Sequence, residues 1–271
     1  MLGSGLCSQN NSEAAQPAST GPLKALLITG GCCHNYKFQA QALTEGVNKW
    51  MSEEPEIKAQ LKVLRGGADS SPDAVNNAPV KWTIVNEGGT GTKGQIGLYS
   101  SPDWAKPYNV IIHNECFADT DDGEYIRKIT AAHKAGKPAM VIHCAMHSYR
   151  AWKSDDWREF LGVTSRHHEH QSRYPVRIIA PEHSIMKGFS SSWTTPMDEL
   201  YVIEKLWPTA KVLAVSKSEK TGQEQPVVWA NNYHGTRVFG TTYGHSDDTF
   251  SDPIFIDLLA RGFFWAAGTI K

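Results

Sequence analysis

Histidine recurs in this chain at one kind of place, just after a short apolar run. His34 follows Leu23 to Thr29 and Gly30-Gly31. His113, Asn114, Glu115 and Cys116 follow Tyr108 to Ile112, and His143 with Cys144 follows Ala139 to Ile142, with His147 just beyond. Gly244-His245-Ser-Asp-Asp248 closes the run Arg237 to Tyr243. Imidazoles and carboxylates gathered in one place can move protons near neutral pH or ligate a metal ion. His143 and His147 are four residues apart, a spacing that puts two imidazoles on one helix face and suits zinc, although the glutamate of H-E-x-x-H is absent. The polar run Arg166-His-His-Glu-His170-Gln could add a ligand, so the metal expectation is a zinc-like divalent ion on His143, His147 and His170. If His143 still belongs to a strand, the pair shares no face, and hydrogen-bonding roles compete with the metal. Cys144 stands where a nucleophile elbow would place it. Ile142 and Met146 replace the flanking glycines of that turn, which favours a buried, inert thiol.

The apolar runs that deliver these groups are short and partly β-branched, as strands buried on both faces of a parallel sheet are. Leu23 to Thr29, the glycine turn and a helical pattern through Trp50 form a strand, turn and helix, the opening unit of a doubly wound sheet. Asp119 to Ala135 reads as a helix stopped by Gly136, and it leads into Pro138 to Ser148, the expected central strand and its end. Leu61 to Leu64 reads as a second strand, and residues 66–106 as irregular, with Asp69-Ser-Ser-Pro72 as a loop signal. Ser154 to Leu161 forms a short helix. Tyr174 to Ile179, Val212 to Val215, Val227 to Trp229 and Arg237 to Tyr243 are strands, the last two joined as a hairpin across Tyr233-His-Gly235. Asp252-Pro253 caps a final helix from Ile254 to Ala267. The fold class is therefore α/β, a doubly wound, mainly parallel sheet flanked by helices, with a C-terminal β-hairpin and helix. In such a sheet the carboxyl ends of the strands share one edge, so the scattered histidines should converge there.

Several classes are excluded. Gly30-Gly31 lacks the G-x-G-x-x-G spacing, and Gly88-Gly-Thr-Gly-Thr-Lys-Gly94 lacks Gly-Lys followed by Ser or Thr, so no nucleotide cofactor is expected. A formal net charge of −1 gives no electrostatic reason for nucleic acid and suits a small, nearly neutral substrate. No apolar run is long enough to span a membrane. Five cysteines without a CxxC pair suggest neither a thiolate zinc knuckle nor a disulfide framework. Residues 1–22 read as a disordered, polar leader with a faint lipoprotein-like Leu-Cys7 start, which leaves cytoplasmic and bacterial periplasmic locations both open. Residues 23–271 read as one domain.

Taken together, Leu26-Leu-Ile-Thr-Gly-Gly31 with His34, Val141-Ile-His143-Cys-Ala, Pro181-Glu-His-Ser-Ile-Met-Lys-Gly188, Asp198-Glu-Leu-Tyr201, Pro226-Val-Val-Trp229, Arg237-Val-Phe and Gly244-His245 resemble the ThuA-like, trehalose-utilisation family. The resemblance implies a class I glutamine amidotransferase-like (flavodoxin-like) fold without the amidotransferase's Cys-His-Glu machinery. It also implies a carbohydrate substrate, a disaccharide or keto-sugar, and a hydrolase, lyase or isomerase step. The glycine-rich stretch before Tyr108 departs from the family pattern. Asp198, Glu199 and Tyr201 enter the site only through the resemblance, from what otherwise reads as a loop. The expected roles are His143 and His245 as base and acid, Glu199 orienting them, Asp198 and Glu115 as further catalytic carboxylates, and His34, Asn114, Tyr201 and Trp152 as sugar contacts. A non-catalytic sugar-binding or regulatory protein of the same fold is the alternative, and assembly into a homo-oligomer fits either.

Overall fold

The computed structural model describes residues 22–53 and 80–271. The expected leader before Pro22, the strand at Leu61 to Leu64 and the loop at Asp69 to Pro72 lie outside these residues. The first strand, β1 (Leu23–Gly31), feeds α1 (Tyr36–Glu53), and β2 (Val80–Asn86) follows. Then come β3 (Val110–Cys116), α2 (Gly123–Lys134) and β4 (Ala139–Ile142). The short α3 (Asp156–Leu161) leads into β5 (Val163–Ser172), β6 (Pro175–Ile178) and β7 (Trp193–Thr194). Strands β8 (Asp198–Leu206), β9 (Ala210–Lys217), β10 (Glu224–Tyr233) and β11 (Thr236–Thr241) precede α4 (Asp247–Ser251) and α5 (Pro253–Ala266).

Nine strands form one sheet in the order β2-β1-β3-β4-β11-β10-β9-β6-β7, and β5 pairs with β8 in a separate two-stranded sheet. The strands from β2 to β11 in that order run parallel, and β10, β9, β6 and β7 extend the sheet with antiparallel pairings. The expected doubly wound fold is thus present, and β4 lies inside the sheet between β3 and β11. The expected hairpin, β10 and β11, inserts its second strand parallel to β4 and so extends the main sheet. Strand β2 lies within the region read as irregular. Its face is only partly covered, so its residues alternate weakly and lack the continuous apolar run of its neighbours.

Alternation along the inner strands builds two cores. Ala25, Leu27, Val110, Ile112, Met140 and Ile142 face Leu43 and Val47 of α1 and the apolar side of α5. Leu26, Ile28, Ile111, Ala139 and Val141 face Ile126 and Ile129 of α2 and Trp157 and Phe160 of α3. Each Val, Leu, Ile or Met side chain among them contributes about 1.5–3 kcal/mol on burial. The helices start where side chains satisfy their free N–H groups: Asp122 accepts from Glu124 and Tyr125, and Asp252 from Ile254, with Pro253 behind it. The strand order reverses between β1 and β3, where open sheets leave a crevice at their carboxyl ends. Among the described residues no helix is long and apolar enough to cross a membrane.

Candidate active site

Three of the expected histidines meet at this crevice. One ring nitrogen from each of His34, His143 and His245 lies within 4.8 Å of the others. Each arrives by a tight backbone turn. Gly31 ends β1 at φ +89°, where a Cβ would stand 2.1 Å from the Cys116 carbonyl oxygen, so only glycine lets the chain turn toward His34 so close to β3. His143 itself, the first residue after β4, occupies the left-handed region at φ 47°. The sharp turn that the sequence suggested for Cys144 therefore has His143 at its apex. Gly244, at φ +130°, passes so near that a Cβ would stand 3.2 Å from that of His143.

Hydrogen bonds fix how the rings point. His34 Nδ1 lies 3.1 Å from the His245 carbonyl oxygen and His143 Nδ1 lies 2.7 Å from that of Thr242, so both rings donate from Nδ1 and turn Nε2 elsewhere. His245 Nε2 is 2.8 Å from the side-chain amide of Gln171. Burial, chiefly, lowers the pKa of His34 to about 4 and that of His143 well below the usual imidazole range, so both rings are neutral.

Glu199 faces this group from the second sheet. Its Oε1 lies 3.3 Å from His245 Nδ1, and its Oε2 lies 3.6 Å from both His143 Nε2 and His168 Nδ1. Burial opposes the Glu199 charge, but the bond and charge of His245, with His168 and His34 behind, outweigh it and hold the carboxyl below its ordinary value. Glu199 in turn raises the pKa of His245. The Tyr201 hydroxyl lies 3.5 Å from His143 Nε2, and burial first, then Glu199 and Asp198, keeps it protonated.

Asp198 and Glu199 diverge because neighbours on a strand point to opposite sides. Asp198 turns inward, where it accepts from the backbone N–H groups of Gly244, His245 and Glu199 and from the Thr249 hydroxyl. Burial pushes its pKa up to about 6 despite these donors. It holds the 244–249 turn and faces no open space. The stretch read as a loop is the start of β8, and the polar run around His167 is its partner β5. Both read poorly as strands because a two-stranded sheet lying over the main one has little apolar alternation.

Other expected residues go elsewhere. Strand β3 continues through Cys116, so the polar residues after Ile112 still alternate between faces and do not emerge at the edge. His113 and Glu115 point toward α2 and α3, bonded to each other at 3.0 Å, with Tyr99 and Tyr149 each 3.4 Å from the same Glu115 oxygen. Asn114 points to the other side and donates to Gln39, whose amide donates to the Gly244 carbonyl, so it supports the turn from behind. Trp152 lies against Gly123 at the start of α2 and donates to Asp156, away from the histidine group.

The metal set expected at His143, His147 and His170 is not gathered. The His147 ring stacks on Tyr201 at 3.9 Å and its Nε2 meets Ser165, while exposed His170 pairs with Glu219. A 3-10 turn after β4 in place of a helix removes the shared face that the four-residue spacing assumed. Among the described residues, the histidines whose ring nitrogens stand close enough to share a metal ion are His34, His143 and His245. The cysteines depart further from expectation: Cys32 is joined to Cys33 and Cys116 to Cys144. The partners of the second pair come from the ends of adjacent strands, which no sequence spacing reveals. Gln171 was missed, and His168, expected only within the histidine run that could add a metal ligand, stands beside Glu199, since only the β5–β8 pairing brings them over the edge. Two surface hollows of about 520 and 450 Å³ lie by Tyr233 and by Phe38, and neither is lined by the histidine group.

A family model described as ThuA, trehalose utilisation, matches residues 99–266, more than half of the chain. The crystal structure of a ThuA-like protein from Parabacteroides merdae superposes with a TM-score of 0.64 at 20% identity, covering 92% of each chain. One from Bacteroides uniformis gives 0.63 at 17% identity, covering 93% of this chain and 95% of its own. At these identities the likeness shows a shared fold. Comparison with curated proteins gives no significant match.

Proposed function

The chain belongs to the ThuA, trehalose-utilisation family, and from that premise we propose that its carboxyl-edge site acts on a carbohydrate, a disaccharide or keto-sugar, by proton transfer through Glu199. One observation carries this reading: a largely buried, ionised carboxylate touches three imidazoles and stands beside the Tyr201 hydroxyl at the crevice of the sheet. Abstraction of a proton beside a carbonyl needs a base for the proton and an electrophile for the oxygen that gains charge. Glu199 takes the proton from carbon. The C–H electrons become the carbon–carbon double bond of an enediolate, and the carbonyl π electrons move onto oxygen, where the protonated Tyr201 hydroxyl and the imidazole face meet them.

This assignment moves the base from His143 to Glu199. Neutral His143 presents a ring nitrogen that Thr242 holds in place, a role of orientation and charge stabilisation. His34 and His245 are the partly exposed members of the group and meet the sugar first. A screen of oxidised and unoxidised disaccharides, with and without added divalent metals, tests the proposal. Turnover of a keto-sugar is expected, and sugar binding without turnover of any member would replace the enzyme with a binding module.

A further inference from the structure

The three-histidine group has the features of a metal centre. Its rings offer nitrogens from three separate strand ends, and no two of these are neighbours in sequence. Ligating imidazoles commonly donate their second ring N–H to a carbonyl or amide, which fixes ring orientation and raises ligand basicity. Two of the three rings have that outer partner, the His245 carbonyl for His34 and the Thr242 carbonyl for His143; the Gln171 amide nitrogen lies 2.8 Å from His245 Nε2, and a turn of that amide would bring its oxygen to the ring N–H when Nδ1 ligates. His245 Nδ1 is in addition a buried nitrogen that faces the Glu199 carboxylate, 3.3 Å away.

We infer that the carboxyl edge holds one divalent first-row transition-metal ion on Nε2 of His34, Nε2 of His143 and Nδ1 of His245. Three imidazoles suit zinc, copper, iron or nickel, whereas magnesium and calcium prefer all-oxygen sites. Three protein ligands also leave positions open, which marks a catalytic site rather than a structural one. The nearby sulfurs are tied up in their two disulfides, so the donor set is nitrogen. Glu199 lies 3.6 Å from His143 Nε2 and 3.3 Å from His245 Nδ1, so its carboxylate would stand beside the ion. The inference rests on the sugar-processing reading for its substrate, because the open positions would take carbonyl and hydroxyl oxygens of the sugar.

The test uses the full-length oxidised protein, stripped with a chelator, dialysed, and titrated with zinc by calorimetry and with cobalt by absorption. We expect one equivalent bound and cobalt ligand-field bands without a sulfur charge-transfer band. His34→Gln and His143→Gln should each weaken binding more than the roughly 10–100-fold expected for an outer partner, and Gln171→Ala within that range. His170→Gln should bind as the parent does. Circular dichroism of the stripped variants checks that they fold. Absence of binding by the folded parent, binding that survives both histidine changes, or a sulfur charge-transfer band would overturn the site. If one equivalent binds but no sugar is turned over, the metal site stands and the enzymatic reading falls. If the folded parent binds no metal yet turns over sugar, the metal site falls and that reading stands.

Discussion

The buried carboxylate of Asp198 accepts the backbone N–H groups of Gly244 and His245, at 3.0 and 3.3 Å. A side chain of the two-stranded sheet thereby sets where a histidine of the main sheet stands. Glu199, one residue on, reaches the ring of that same histidine, so consecutive residues of β8 hold His245 by its backbone and by its side chain.

Asp198→Ala leaves several buried donors without an acceptor, at roughly 1–3 kcal/mol each. Urea denaturation should show a loss of about 3 kcal/mol or more. Sugar turnover should fall and KM should rise, because the variant misplaces His245, which meets the sugar, without removing it. A variant as stable as the parent would show that Asp198 does not hold the turn.

Glu199→Gln keeps the shape of the side chain and removes the base. Turnover should fall by about 10²–10⁴-fold, the range of a lost general base. Tyr201→Phe, which removes one donor to the oxyanion, should cost about 10²–10³-fold. Steady-state kinetics on the substrate found by screening measure both, and Glu199→Gln at parental rate would exclude the carboxylate as the base.

Thiol titration of the denatured, unreduced protein should find one free thiol, since four of the five cysteines lie in the two disulfides. Reduction should raise the number to five. Chain-entropy reasoning gives the Cys116–Cys144 link, 28 residues apart, a stabilisation of about 4 kcal/mol. The double change Cys116→Ser with Cys144→Ser should lower the urea midpoint accordingly, and five free thiols before reduction would show that neither bond forms.

Stability should fall on acidification below neutral pH. Burial lowers the pKa of His147 to about 3 and that of His133 well below its usual value, whereas in the unfolded chain both titrate near 6.5. A ring whose folded pKa is depressed gives its full contribution above about 6.5 and loses it as pH falls toward the folded value. Between about pH 6 and 4 each ring therefore takes up a proton on unfolding. His147→Phe, which keeps a ring on Tyr201, should reduce that uptake by one proton in urea titrations across this range. An unchanged slope would place a charged His147 in the folded protein.

Much of the fold was legible because the buried parallel strands are continuous apolar runs bounded by glycine and helix caps. Ala139 to Ile142 could be assigned to a central strand on its own residues, and the sheet's parallel order follows from the alternation of strands and helices. The same logic places His34, His113, His143 and His245 at one edge, and three of the four meet there. It fails for His113, Glu115 and Asn114, because β3 runs on through polar residues and only the length of a strand decides whether its last side chains face a layer or the edge.

What the sequence determined by itself was thus the α/β class, the central strand and the convergence of three histidines, all consequences of local periodicity and of the geometry common to parallel sheets. The tertiary structure alone decided which groups complete the site. Glu199, Tyr201, His168 and Gln171 reach it from a two-stranded sheet whose placement depends on long-range packing, and Cys116 meets Cys144 because their strands happen to be neighbours. A side chain's chemistry is written in its residue type. Its partners depend on pairings between distant segments, which local pattern does not encode.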